Sequence, residues 1–321
     1  MISERKYYLH IYENFLVKNS KLFNNCCIND LQRLPLPNSY SRIIELLDEV
    51  ERNYEFNMQK MCVPNYNQFA LWQMNFMRQI DDNKICIALE FVIFCCLSDK
   101  ILDSGRFTDA EKQKVCERLN VDKFFSPHTW NGDLFPELDI LLNDIRSFLT
   151  SVVCKEPEEA QYIKNCMQDA FESEIYMYSS PLKVSESISN ADRHLLIDKS
   201  IKFETAAFLL SSTNHNNEIS KEAALCIANI FWRIDDLCDF IEDIKFQRKN
   251  SILFFCAPND QDMTLVARAE TAVANVDLFI GDLQNDLILL HDLVCKELYQ
   301  YIIDEVWDWC TYVRLFAAST N

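Results

Sequence analysis

Glycine is almost missing from this sequence: three residues in 321, at positions 105, 132 and 281. A doubly wound nucleotide-binding sheet needs glycines where its turns cradle phosphate, and a β-rich fold needs them in its hairpins. Neither is economical here. Basic charge is also short. Lysine and arginine number 31 against 49 acidic residues, for a formal charge of −18. Phosphate-backbone binding wants a basic surface, so nucleic acid is not expected as a partner. An acidic chain that binds an anionic substrate needs a local device such as bound metal ions. Zinc-ligand spacing is lacking as well. The 14 cysteines form no CxxC pair, only the adjacent pairs Cys26-Cys27 and Cys95-Cys96. Cys86, Cys95, Cys96, Cys226 and Cys310 fall inside apolar runs, the pattern of reduced thiols packed as small core residues. With no visible leader at Met1 to Lys6, the expectation is a cytoplasmic protein. The most apolar run, Ile85 to Leu97, is too short to span a bilayer and carries Glu90.

What is present is helical. Apolar residues make up 49% of the chain, enough for a sizeable core. Tyr8, Ile11, Phe15 and Leu16 share one face of a first helix. Leu34 to Ser39 reads as a loop, followed by a helix over about Tyr40 to Met61 that Pro64 ends. Helices follow at about Asn67 to Gln79 and Asn83 to Ser104, the latter stopping at Gly105. Thr108-Asp109-Ala110-Glu111 reads as a helix cap with an acidic first turn. After a loop at Pro127 to Asp133, helices are expected at about Leu134–Val153, Glu156–Tyr178 and from Pro181 to Ser212. A long helix over about Glu218 to Gln247, a loop at Pro258 and two last helices, Asp262 to His291 and Leu293 to Ala317, complete the set. The expectation is an all-α chain of ten or more helices, one domain over residues 1–321, with no repeat and no trusted strand pattern.

Two acidic constellations carry the chemistry. In Arg233 to Asp243, Asp235, Asp239 and Asp243 recur every four residues and Asp236 flanks them. On an α-helix that spacing drifts only about 40° per step, so the three share a stripe. Stacked like charges weaken a helix unless a cation sits between them. Hard carboxylate oxygens suit Mg²⁺, whose shell is commonly completed by water and substrate phosphate. A solvated acidic face would give the same spacing, but Ile230, Phe231, Leu237 and Phe240 surround these acids with apolar side chains. Lys245, Arg248 and Lys249, then Asn250-Ser251, follow at once and could hold diphosphate oxygens. Arg233 lies about 160° around the helix from Asp235 and could face away. The second constellation places Asp99 and Asp103 at i, i+4 at the end of the most apolar helix, where negative charge opposes the helix dipole. Metal coordination supplies a reason; helix-end carboxylates facing solvent are the alternative. A third element, Ser200 to Ala207, sets Lys202 and Thr205 among small residues, within reach of a phosphate or simply on the surface.

Together these motifs resemble the class I isoprenoid synthase superfamily, namely trans-prenyltransferases, squalene and phytoene synthases and bacterial terpene synthases. Asp235-Asp236-Leu237-Cys238-Asp239 resembles that family's second aspartate-rich motif, and Asp99 with Asp103 a reduced first motif. Lys202 and Thr205 resemble its Lys-Thr segment, with two residues intervening. The resemblance implies a helical bundle around a central cavity and three Mg²⁺ ions held by Asp99, Asp103, Asp235, Asp236, Asp239 and Asp243. It implies diphosphate donors among Lys202, Arg233, Lys245, Arg248 and Lys249, and an isoprenyl diphosphate substrate of C10–C20 or longer. A homodimer is a common arrangement among such relatives. Aromatic candidates to face the allylic cation are Phe69, Trp72, Phe76, Phe91, Phe203, Trp232 and Trp307, each also a natural core residue. Two family features are absent: the Gly-Lys-Arg segment that binds isopentenyl diphosphate, and the Arg-Arg-Gly after the first motif, where only Gly105-Arg106 stands. Their absence argues against chain elongation and for a terpene synthase that uses one diphosphate. Transfer to a non-isoprenoid acceptor, or an inactive helical scaffold, are the alternatives.

Overall fold

A computed structural model describes residues 3–24, 26, 40–56, 58–120, 134–153, 155–179, 190–246, 248–257 and 263–319. The described residues hold fifteen α-helices and one π-helix and no strand. In chain order they are α1 (Glu4–Ile11), the π-helix (Tyr12–Val17), α2 (Ser20–Phe23), α3 (Ser41–Tyr54), α4 (Gln59–Phe76), α5 (Asp82–Asp103), α6 (Asp109–Arg118) and α7 (Pro136–Val153). Then come α8 (Pro157–Ser179), α9 (Asn190–Ser211), α10 (Glu218–Phe246), α11 (Ile252–Phe255), α12 (Leu265–Ala274), α13 (Val276–Leu293), α14 (Lys296–Trp309) and α15 (Thr311–Ala318). None of these helices is long and apolar enough to cross a membrane. Among the described residues the cysteines are free thiols. The loops expected at Leu34 to Ser39, at Pro127 to Asp133 and around Pro181 and Pro258 lie outside the described residues.

The chain divides into two compact units. One comprises residues 1–31, 180–197 and 226–321, and the other residues 32–179 and 198–225, so α9 and α10 each contribute to both. In the second unit α5 is the central rod. Its buried residues, from Ile85 through Phe91, Phe94 and Leu97 to Leu102, run around the whole helix, as an apolar helix wrapped by others must. It packs against α4, α6, α7 and α8. Its start is capped by Asp81, whose side chain accepts from the Lys84 amide. The cap expected at Thr108 is a reciprocal capping box with Glu111. In the first unit α1 packs against α15, and the Tyr7 hydroxyl donates to the Leu237 carbonyl of α10 at 2.8 Å.

Three boundaries differ from those expected of the sequence. Pro64 does not end a helix but lies within α4. The break comes earlier, at Glu55, whose left-handed backbone (φ 59°) closes α3. A proline this near a helix start removes one hydrogen bond, and buried Tyr66, Phe69, Ala70 and Trp72 hold the helix beyond it. The expected helix from 262 to 291 is interrupted at Asn275, whose side chain leaves the helix to donate to the Cys256 carbonyl at 2.8 Å. The last expected helix is likewise broken at Cys310.

One core residue is chemically out of place. Glu90 is 6% exposed in α5, and its Oε2 has no hydrogen-bond partner among the described residues. Burial, reinforced by Asp144 and partly offset by Arg42, raises its pKa to about 7. The sign follows from proton linkage. The folded chain holds this proton above pH 4.5 while the unfolded chain releases it, so stability falls as pH rises from about 4.5 through 7. At roughly 1.4 kcal/mol per pH unit the loss reaches about 3 kcal/mol by pH 8. Urea unfolding of Glu90→Gln is expected to match the parent near pH 5 and to exceed its stability by about 2–3 kcal/mol at pH 8. Parallel curves for the two chains across that range would refute this account.

Candidate metal and diphosphate site

The acidic stripe sits near the C-terminal end of α10. Ile234, Leu237, Phe240 and Ile241 bury one face, and this fixes the rotation that exposes Asp235 and Asp239. Asp243, one turn on, is half-buried. Asp236 turns the other way. Its Oδ2 accepts from the Ser251 amide at 3.1 Å and from the Ser251 hydroxyl. Asn250 Nδ2 donates to the Asp236 carbonyl at 2.8 Å and to Asp243 Oδ2 at 3.0 Å. Asn250 and Ser251, candidates to hold diphosphate, are therefore engaged in folding the chain back onto α10. Burial first, then neighbouring acids, raise the pKa of Asp239 and Asp243 above the usual carboxylate range; burial lifts Asp236 to about 7 against the Ser251 bonds. Both causes, burial and neighbouring negative charge, disfavour the carboxylate, and a bound cation would offset either.

The five candidate phosphate donors separate. Arg248 is exposed, lies over the Phe246 ring at 5.3 Å and stabilises the charged forms of Asp239 and Asp243. Lys249 is half-buried beside it in sequence. Lys245 pairs with Glu4 of α1. Arg233 bonds Asp286 at 2.9 Å and stacks on Trp232 and Phe279, turned from the stripe as its helical angle allowed. Lys202, in the other unit, pairs with Asp169 at 3.2 Å.

Asp99 and Asp103 end α5 in that second unit. Asp99 accepts from Lys199 Nζ at 2.5 Å, and the same ammonium reaches Glu174 Oε2 at 2.9 Å. Asp103 is exposed on the last residue of α5 and adds to the field that raises Glu174's pKa, after burial and Asp99. Lys112 donates to the Leu102 carbonyl at 2.5 Å, so a cation offsets the helix terminus that the carboxylates oppose. The Gly105-Arg106 segment holds the fold together, since Arg106 donates to the Tyr54 carbonyl at 2.9 Å and pairs with Glu55 at 2.8 Å. Thr205, beside Lys202 in the expected segment, is buried and bonds its own helix at the Ile201 carbonyl. Lys199 and Glu174 are not singled out by the sequence. The available signal was Glu174's place, an acid one turn beyond the apolar Ala170-Phe171 pair of α8.

Phe91 and Phe94 of α5 meet Phe171 of α8 at 6.2 and 5.7 Å, and Phe91 meets Phe203 of α9 at 5.7 Å. Phe69 and Trp72 are fully buried against Phe208, and Trp72 Nε1 donates to Ser212 at 2.8 Å, a core arrangement. Trp232 packs edge-on to Phe279, and Trp307 stacks with Phe23. A groove of about 880 Å³, lined by Arg5, Lys6, His10 and Glu13 near the N-terminus and by Glu270 and Val273 of α12, includes none of the candidate aspartates.

Among the described residues no three His, Cys, Asp or Glu side chains converge on one metal position. Mg²⁺ does not demand that, since one or two carboxylates with phosphate and water complete its octahedron. The exposed pair Asp235 and Asp239 fits this requirement, and Asp236, committed to Ser251, fits it less well. Among known proteins, no family model matches the chain and no curated protein matches it.

Proposed function

We propose that this chain is a Mg²⁺-dependent class I terpene synthase, which ionises an allylic isoprenyl diphosphate and releases diphosphate. The observation that carries the reading is the α10 stripe: Asp235 and Asp239 held outward by a buried apolar face, with Arg248 close enough to favour the charged forms of Asp239 and Asp243. When bound, Mg²⁺ would neutralise charge growing on the departing diphosphate. The chain's own residues then have distinct roles. Asp235 and Asp239 offer hard oxygens from adjacent turns, and Asp243 extends the stripe. Arg248 donates to phosphate oxygen from beside the stripe. Asp236 fixes the return of the chain through Ser251, so that Arg248 and Lys249 are presented close to α10. Asp99 and Asp103 are the further carboxylates that the resemblance implies.

The test is diphosphate release with Mg²⁺ and geranyl, farnesyl or geranylgeranyl diphosphate, with mass spectrometry of the organic extract. Release that yields a hydrocarbon or alcohol and stops on adding EDTA is the expected result. Silence with all three substrates counts against the reading, and release only when an amine, phenol or indole acceptor is added would reassign the chain to prenyl transfer.

A further inference from the structure

Lys199 occupies an unusual position. Its ammonium lies 2.5 Å from Asp99 and 2.9 Å from Glu174, and Asp103 adds a third negative charge to the same neighbourhood. The chain could have placed the neighbouring lysine there, because Lys202 is three residues along the same helix and shares its face. Instead Lys202 is taken up by Asp169 of α8, at 3.2 Å. The pairs 174–199 and 169–202 set α8 and α9 antiparallel, and the ring contacts Phe91–Phe203 and Phe91–Phe171 fix α5 beside both. Packing of these three helices therefore delivers Lys199, rather than Lys202, to the carboxylate near the end of α5. The ammonium is a monovalent cation beside Asp99, in the place where a divalent one would need to bind.

We propose that Lys199 is a tethered counter-cation of the Asp99 motif. It holds Asp99 against loose metal ions and transfers to an incoming diphosphate, so that metal binding at Asp99 and Asp103 is coupled to substrate binding. This rests on the reading of the chain as a diphosphate-ionising enzyme. Metal and lysine compete for the same carboxylate. Two cations cannot share a carboxylate oxygen at hydrogen-bond distance without repulsion, so metal must displace the lysine or bind weakly. An ammonium removed from Asp99 keeps Glu174 only as a partial partner and needs another anion, which a diphosphate supplies. Glu174 is the anchor: 8% exposed, it keeps Lys199 within reach and prevents its escape to solvent. Lys199 is thus a positioning residue, and its effect is visible in metal affinity without any turnover.

The experiment uses Mn²⁺ as the probe, read by electron paramagnetic resonance, with inorganic pyrophosphate as the diphosphate. In a chain carrying Asp235→Asn and Asp239→Asn, binding reports on the α5 carboxylates. Adding Lys199→Met is expected to tighten Mn²⁺ binding at least tenfold in the absence of pyrophosphate, and Asp99→Asn should abolish that gain. Lys199→Arg keeps the charge and should keep the weak affinity. If Lys199→Met does not fold, the pair Lys199→Gln with Glu174→Gln removes one charge of each sign and is expected to give the same tightening. Equal Mn²⁺ affinity with and without the lysine would overturn the proposal. The wider reading is judged separately on the parent chain: Mn²⁺ binding with pyrophosphate there, beside unchanged affinity in the lysine variants, defeats the counter-cation alone. No Mn²⁺ binding to the parent even with pyrophosphate defeats both.

Discussion

Asp239→Asn is expected to lower Mg²⁺-dependent diphosphate release by about a thousandfold while leaving the melting temperature unchanged or slightly higher. The size follows from the role proposed for the carboxylate. Charge neutralisation by a metal is worth several kcal/mol in the transition state, and each ~1.4 kcal/mol is tenfold in rate. Asparagine keeps the shape and one oxygen but loses the charge that holds the ion. The stability half of the expectation comes from the surroundings. Asp239 lies at the solvent edge of α10, where partial burial and then Glu242 disfavour its charged form while Arg248 favours it. Removing one charge from an i, i+4 acidic stack relieves repulsion. Full activity in the variant would remove α10 from the mechanism. Lost activity accompanied by a lower melting temperature would point to a folding role instead.

The second large effect concerns stability alone. Arg118 of α6 and Asp139 of α7 form a bidentate pair at 2.7 and 3.0 Å, with Arg118 only 3% exposed and its guanidinium over the Phe135 ring. Truncating one member of such a pair leaves the other charged and buried, which costs about 3–5 kcal/mol. Arg118→Met should therefore lower the free energy of urea unfolding by that amount, and Asp139→Leu placed on top of it should recover much of the loss. The recovery is the informative half, because a well-packed apolar pair of similar volume can match a buried ion pair. If Arg118→Met were neutral, Asp139 would have to be finding water or another cation.

The helices were legible where one physical signal dominated. The 29-residue α10 and the 22-residue α5 follow long apolar patterns with clear stops, and the Thr108 cap follows from hydrogen-bond chemistry that needs only four residues. Breaks made by tertiary contacts were not legible. Asn275 leaves its helix for the Cys256 carbonyl, and nothing local announces that partner. The same division holds at the candidate site. The i, i+4 spacing of Asp235 and Asp239 is local, so their shared stripe could be read directly, whereas its exposure to solvent could not. Asp236 could not be separated from them by type, since its inward turn depends on Ser251, fifteen residues on. Lys199 and Glu174 belong to helices far from α5 in sequence, and only packing brings both to Asp99.

The bond from Tyr7 to the Leu237 carbonyl spans 230 positions, and Lys245 reaches back to Glu4 across a similar interval. Each joins α1 to the helix that carries the aspartate stripe. At a synthesis rate of roughly 5–20 residues per second, α1 leaves the ribosome about 10–50 s before its partner exists. During that interval Tyr7, Tyr8, Ile11 and Phe15, all fully buried in the finished protein, have no surface of their own unit to cover them. The intervening chain, residues 32–225 in large part, can meanwhile close its own core around α5. Birth order thus makes the stripe-bearing unit the last to close, with the apolar face of its first helix uncovered in the interval.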